Sequence, residues 1–297
     1  MKKLLKIVTY PLLLLIALEI EAQLLQTYIP IGITVAIAVI PLMLGIWGLE
    51  MISPYSRSWR PTLHQFLLDF CHSLLSANAA GQLTRIALAG VMATVGAFLA
   101  AKVGSQLWPT HWPLWLQLPL AILVADFGVY WAHRWMHLSR LGWRLHAVHH
   151  TPTKLYFLAS GRTHPFNAVL SHGAEIIPLI VLGSGPELFA LWTVFKTVNG
   201  VLQHSNIDLT PGWLNRILAT NEQHWHHHSQ ERAPSNSNFG NTTMIWDQLF
   251  GTYYTSDERP SPVVGIAGAE IPEHYLAHLS VPFTLRQYQP SFDQQLV

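Results

Sequence analysis

Apolar residues dominate five stretches of the chain, and polar or charged residues collect between them. The first covers residues 4–20, behind Lys2, Lys3 and Lys6. The second covers 29–52, the third 86–103 and the fourth 113–131. A helix crosses a bilayer in about 20 apolar residues, so each of these four reads as a membrane helix. The first also has the layout of a signal peptide with a basic n-region. Its end, Ile20-Glu21-Ala22, is a poor cleavage site and carries Glu19 and Glu21, which favours a retained helix. The fifth stretch, 174–202, is broken by Gly183-Ser184-Gly185-Pro186. Each half is short for a crossing, which predicts a helical hairpin that dips in and returns; one long kinked span is the alternative.

Between the second and third stretches, residues 51–84 are less apolar, with Trp59, Phe66, Leu67, Phe70, Leu74 and Leu75 at mixed helical spacings. They read equally as an amphipathic helix on the membrane surface or as a loop holding one helix. The tail after Asp257 carries Pro260, Pro262, Pro272, Pro282 and Pro290 and reads as irregular chain packed on the polar part. Basic residues set the orientation. Lys2, Lys3 and Lys6 precede the first helix, Arg57, Arg60 and Arg85 lie between the second and third, and Arg134, Arg140 and Arg144 follow the fourth. The other loops, around 23–28 and 108–112, have no Lys or Arg. Four crossings then leave the N-terminus and the region after the fourth helix in the cytoplasm.

Composition agrees with a membrane. Of 297 residues half are hydrophobic and 11% are charged, against about 25% charged in a typical soluble domain. The net charge is +1, with no basic stripe, which excludes a nucleic-acid partner. The single cysteine, Cys71, makes no intrachain disulfide and excludes a thiolate-ligated iron–sulfur centre. These readings divide the chain into N-terminal membrane helices with their connecting segment (1–112), a catalytic region (113–255) and a Pro-containing tail (256–297).

Histidine is the unusual residue. There are 17, and twelve fall between His133 and His228. His133 and His137 stand i, i+4 at the end of the fourth apolar helix, so both rings share one face. The same face carries Tyr130 and Asp126, a polar stripe on an apolar helix. An intramembrane carboxylate is costly and marks function by default. Asp126 and Tyr130 are therefore candidate catalytic residues. Asp126 suits a proton acceptor from a ligand histidine, or a partner for a basic group that packs the bundle. His146-Ala-Val-His149-His150 follows, with Thr151-Pro152 ending its helix. The third cluster, His224-Trp-His226-His227-His228, repeats the spacing through His224, His227 and His228 and leaves His226 pointing away. The pair His274 and His278 has a chance HxxxH spacing.

Eight histidines in three repeated helical spacings on one membrane side predict a metal site. Imidazole suits zinc, copper, iron and nickel. Eight ligands are too many for one tetrahedral ion and suit two ions sharing a site. Redox-active iron gives such a site a reason to sit beside a membrane. The Glu-x-x-His pattern of soluble di-iron bundles is missing. No H-E dipeptide occurs, which argues against a zinc metalloprotease. A transporter places its ligands near the membrane midplane, whereas these lie at the helix ends. A membrane metal-binding or transport protein without oxygenase activity is the alternative.

The pattern Asp126…Tyr130-Trp131-x-His133-Arg134-x-x-His137, then Trp143-Arg144-x-His146-x-Val-His149-His150 and His224-x-x-His227-His228, resembles the fatty acid hydroxylase / sterol desaturase superfamily. Asn238-Phe239-Gly240 and Trp246-Asp247-x-Leu249-Phe250-Gly251-Thr252 fit it as well, so the match covers about 120–255. The resemblance implies an all-α fold: a polytopic membrane helical bundle with a cytoplasmic histidine-rich cap holding a di-metal site. It implies two non-haem Fe ions that use O2 and two electrons to hydroxylate or desaturate a C–H bond of a lipid. His133, His137, His146, His149, His150, His224, His227 and His228 are the implied ligands. Two further histidines join the candidate metal set: His204, the preferred one, and His164, which also reads as a support or structural residue. Where some relatives have HxxxH, this chain has Gly200 and His204, so one ligand of that extra box is absent. Asp247 is a candidate hydrogen-bond acceptor behind the site. With no dinucleotide fingerprint and no haem domain in the sequence, a separate cytochrome b5-like protein or ferredoxin is the expected electron donor. A multi-pass protein of a bacterial inner membrane is the expected setting, with endoplasmic reticulum as the alternative.

Overall fold

The computed structural model describes residues 3–288; Lys2 and Pro290 lie outside the described residues. Four long helices and one short one form the bundle's first half: α1 (Lys3–Leu24), α2 (Ile31–Ile52), the short α3 (Leu63–Cys71), α4 (Ala80–Val103) and α5 (Leu114–Leu138). Then come α6 (Arg140–His150), α7 (Pro165–Leu182), α8 (Pro186–His204), three short helices α9 (Asn221–His227), α10 (Arg232–Ser235) and α11 (Ile245–Leu249), and α12 (Tyr275–Tyr288). Among the described residues there is no strand, only isolated bridges such as Leu218 with Thr243.

Four segments are long and apolar enough to cross a membrane: α2, the continuous run Leu63–Val103, α5 and α7. Helix α1 matches α2 in length but carries Lys3, Lys6, Glu19 and Glu21. It packs on α8 and α2 through Tyr10, Leu14 and Ala17, with the Tyr10 hydroxyl donating to Asn199 at 2.9 Å. The segment 51–84 holds a loop with a 3-10 turn at Arg57–Trp59, followed by one continuous helical run. Thr62 caps α3 in a reciprocal capping box with Gln65, and a π-helical stretch, His72–Ala79, joins α3 to α4 without a break. The reason lies in tertiary packing. Asp69 and His72 on this segment are buried by Arg162, Tyr156 and His278, so an apparently mixed face has a polar core to satisfy.

The hairpin exists, but its first arm starts at Pro165 rather than at 174 and is 18 residues long. Gly183 makes the turn in the left-handed region, φ 85°. α7 lies so close to α5 that a Cβ on Gly128 would stand 2.1 Å from the Ala174 carbonyl oxygen, so only glycine allows that crossing. The C-terminal tail is not wholly irregular. Among the described residues it includes α12, which holds its form through Pro282 because Val281 and Leu285 pack on Trp143, Ala147 and Val148 of α6. Glu50, buried at the end of α2, accepts from the backbone N–H of Phe157 and of Asn206, both at 2.7 Å. One apolar-helix carboxylate thereby ties down two loops that flank the histidines.

Candidate metal centre

The C-terminal ends of α5 and α8 meet α6 and α9 at one end of the bundle. Ser139 makes the junction: its extended backbone stops α5, and its hydroxyl accepts from the Gly142 N–H at 3.0 Å to start α6. The histidines sort into two adjoining groups. His133, His137, His146, His150 and His227 form one, and His149, His204, His224 and His228 form the other. Within each group one nitrogen per residue lies within 4.8 Å of the rest. The helical spacings explain the sorting. The i, i+4 pairs 133/137, 146/150 and 224/228 stay together, one turn above another. The i+3 members, His149 and His227, cross to the opposite group.

Backbone carbonyls set the tautomers. Nδ1 of His133 donates to Phe239 O at 2.8 Å, His149 to Arg162 O at 3.0 Å, His204 to Gly200 O at 2.8 Å and His227 to Ser237 O at 2.7 Å. His146 Nδ1 donates to Asn167 Oδ1 at 2.9 Å, and the Asn167 amide in turn donates to Thr163 at 2.6 Å. In each of these rings the second nitrogen is left as a bare lone pair. Burial keeps the rings neutral: it lowers His149 to about 4 and holds His146, His150, His224, His227 and His228 well below the ordinary histidine range.

Two of these lone pairs face each other: His133 Nε2 lies 3.0 Å from His146 Nε2. The His204 lone pair is aimed at His224 Nε2, 3.0 Å away. Both nitrogens of His137, Nε2 of His227 and Nδ1 of His228 are buried with no hydrogen-bond partner. Facing lone pairs and orphaned imidazole nitrogens are costly in a dry interior unless a cation lies among them. The donor set is all imidazole, which suits zinc, copper, iron or nickel, and the residues present fit a pair of such ions.

His164 stands outside both groups. Its Nδ1 caps α7 by accepting from the Phe166 N–H at 3.1 Å, and Nε2 lies 3.2 Å from Leu279 O. His226 meets Tyr254 edge-on, and His278 pairs with His72 at 2.9 Å. Neither Asp126 nor Tyr130 reaches a histidine nitrogen. Asp126 is spent on one loop, accepting from Asn241 N at 2.9 Å, Thr242 N at 2.7 Å and Thr242 Oγ1 at 2.8 Å. Tyr130 meets Thr252 at 2.9 Å and accepts from Arg134 at 3.2 Å. Asp247, pushed up to about 6 by burial, accepts from the N–H groups of Phe239 and Gly240 at 2.8 and 2.7 Å. Two carboxylates thus clamp 239–243, the loop whose Phe239 carbonyl orients His133. Sequence reasoning missed Asn167, Glu50 and the ligand-orienting carbonyls. A carbonyl has no sequence signal, although Asn238-Phe239-Gly240 marked the right loop.

A cavity of about 540 Å³ reaches the metal groups from within the bundle. His133, His146, His149, His204 and His224 line one end, and Val35, Val39, Ile40 and Met43 of α2 line another part. Of its wall residues Gly32, Ile40 and Asn78 are exposed, so it extends to the bundle's surface. A smaller cavity, about 80 Å³, reaches His137 and His150 between Trp143, Arg232, Asn236 and Ile266. Paired all-histidine groups at the end of a membrane bundle, beside a cavity with an apolar wall from α2, fit a di-metal oxygenase site.

Comparison with known proteins agrees. The sequence profile of the fatty acid hydroxylase family matches residues 118–252. Ornithine lipid hydroxylase OlsE of Rhizobium tropici is 33% identical over 236 residues, covering 79% of this chain and 71% of that protein. Alkylglycerol monooxygenase of Danio rerio is 26% identical over 221 residues, 74% of this chain and 48% of that protein. Very-long-chain aldehyde decarbonylase GL1-11 of Oryza sativa subsp. indica is 29% identical over 161 residues, 52% of this chain and 59% of that protein. No solved structure matches the chain significantly. The chain belongs to the fatty acid hydroxylase family and is an oxidoreductase by that membership.

Proposed function

We propose that the chain is a membrane-bound lipid hydroxylase that holds two non-haem iron ions among its nine clustered histidines. One oxygen atom of O2 enters a C–H bond of the lipid, the other leaves as water, and two electrons and two protons are consumed. The observation that carries this reading is the shared cavity: histidines of both groups and apolar residues of α2 line one space. Bound iron supplies the O2 and one-electron chemistry. The chain's own residues do the rest. His133, His137, His146, His150 and His227 hold one ion, and His149, His204, His224 and His228 the other. The Phe239, Arg162, Gly200 and Ser237 carbonyls and Asn167 keep five of those rings in the ligating tautomer. The apolar wall excludes water and aligns a hydrocarbon chain.

The hydroxylase and monooxygenase activities named for the bacterial and fish relatives favour hydroxylation over desaturation. The smaller cavity at His137 and His150, walled by the exposed Arg232, suits the delivery of electrons and protons. A separate cytochrome b5-like protein or ferredoxin supplies the electrons. The Lys and Arg distribution supports a cytoplasmic site in a bacterial inner membrane, with residues 113–255 as the catalytic region between the N-terminal helices and the tail. The test is metal analysis of the purified protein together with mass spectrometry of host lipids, using His146→Ala as control. Two irons per chain, and a lipid gaining one oxygen only with the unaltered chain, are expected. Zinc alone, or no oxidised lipid when a reductant is supplied, overturns the reading.

A further inference from the structure

The hairpin arms bring three ionisable side chains to the wall of the large cavity: His172 and Glu175 from α7 and Lys196 from α8. Lys196 donates to Glu175 Oε2 and lies 3.2 Å from His172 Nδ1. Asn241, from the loop clamped by Asp126, donates to Glu175 Oε1 at 3.0 Å. The Lys196 ammonium also sits 4.7 Å from the centre of the Trp192 ring, which holds its stem in place. None of these side chains belongs to a metal group. Charges inside a membrane bundle are expensive and functional by default.

Their exposure is uneven. The Glu175 side chain is 5% exposed and both its oxygens are occupied, while Lys196 is 15% and His172 29% exposed. Of the three cavity-lining side chains the anion is the most buried, and the nitrogen-bearing ones stay more accessible. Lys196 and Glu175 cancel in charge, so an ionic group such as a phosphate would enter uncompensated. A neutral oxygen acceptor is the complementary ligand. Along α8, Lys196 stands eight residues before His204, a rise of about 12 Å. A lipid anchored at Lys196 would therefore present its chain to the metals at a set distance.

Resting on the hydroxylase reading above, we propose that His172, Glu175 and Lys196 form the polar subsite for the ester or amide carbonyl of an acylated lipid, which sets the carbon that faces the metals. The test is binding, which needs no turnover. Detergent-solubilised, metal-loaded protein is titrated with a spin-labelled monoacylglycerol and with its alkyl-ether analogue of the same chain length, which lacks the carbonyl. The unaltered protein is expected to prefer the ester by about tenfold, the worth of one hydrogen bond from a charged donor. Glu175→Gln with Lys196→Met removes the ion pair without stranding either charge and is expected to abolish the preference while keeping the metal content. Equal binding of the two lipids by the unaltered protein overturns the subsite, and so does a preference that survives in the double variant. If the double variant does not fold, His172→Phe leaves the ion pair intact: a reduced preference supports the subsite and an unchanged one overturns it. Failure of the hydroxylase reading itself would show separately, as missing iron or missing oxidised lipid.

Discussion

The two histidine groups differ in how they are assembled. The five-membered group comes from α5, α6 and α9, and its ring pairs follow helical spacings. The four-membered group needs His204 from the far arm of a hairpin, and this residue is held by a carbonyl of its own helix. The first group borders the small cavity through His137 and His150, and both groups line the large one, the first through His133 and His146 and the second through His149, His204 and His224. The difference teaches that one group is built mainly from local repeats, while the other exists only if the hairpin docks.

The largest effect should come from removing one ligand of each kind. His146→Ala takes away the ring that faces both His133 and His150. His204→Ala takes away the hairpin's only member of the second group. Each is expected to abolish activity and to lower the metal content from about two to about one per chain, measured by elemental analysis. Loss of both ions in either variant would break the comparison, because the groups would then be one cooperative unit.

Acid should strike both groups. Burial holds His149 at about 4, below its ordinary 6.5, and holds His146 and His150 well below it. The unfolded chain therefore binds more protons than the folded one as pH falls below 6.5, and stability falls with it. That stability is fully present above 6.5 and is lost toward about 4. The metal-free protein is expected to lose roughly 1.4 kcal/mol per pH unit for each ring that stays neutral. A thermal melt of metal-free protein that does not move between about pH 7 and pH 5 would contradict this.

A smaller, one-sided effect is expected from Asn167→Ala, which removes the acceptor behind His146. Metal affinity at the first group should drop about 10–100-fold while the second keeps its own. Titration with a chelator resolves the two. His164→Ala should do least, costing about 1 kcal/mol through the lost α7 cap and leaving the metal content alone. Loss of metal in that variant would place His164 in the site after all.

Much of the fold was legible because membrane helices are read from length and apolarity alone. The spans in α2 and α5 and the turn at Gly183 all follow from such signals. What was not legible depended on partners distant in sequence. The run 63–103 is one helix because Arg162, some 90 residues away, neutralises Asp69, and α12 forms where α6 offers an apolar face. Asp126 illustrates the same limit. Its cost inside a membrane helix signalled importance, but its hydrogen bonds to Asn241 and Thr242 make it the clamp of a loop rather than a neighbour of the metals.

By itself the sequence determined that this is a helical membrane protein and that eight histidines stand in three spaced pairs and triplets, because periodicity is a local property of the chain. It determined the chemical type of the site as well, since imidazole without thiolate narrows the metals. Only the tertiary structure decided which histidine stands in which group, with His204 inside one and His164 outside both, and that Lys196 meets Glu175 beside the cavity. Those facts depend on how α5, α6, α8 and α9 cross and on carbonyls that carry no side-chain signature. Helix crossing is set by close packing summed over many contacts, such as Gly128 against Ala174, and no short motif encodes that sum.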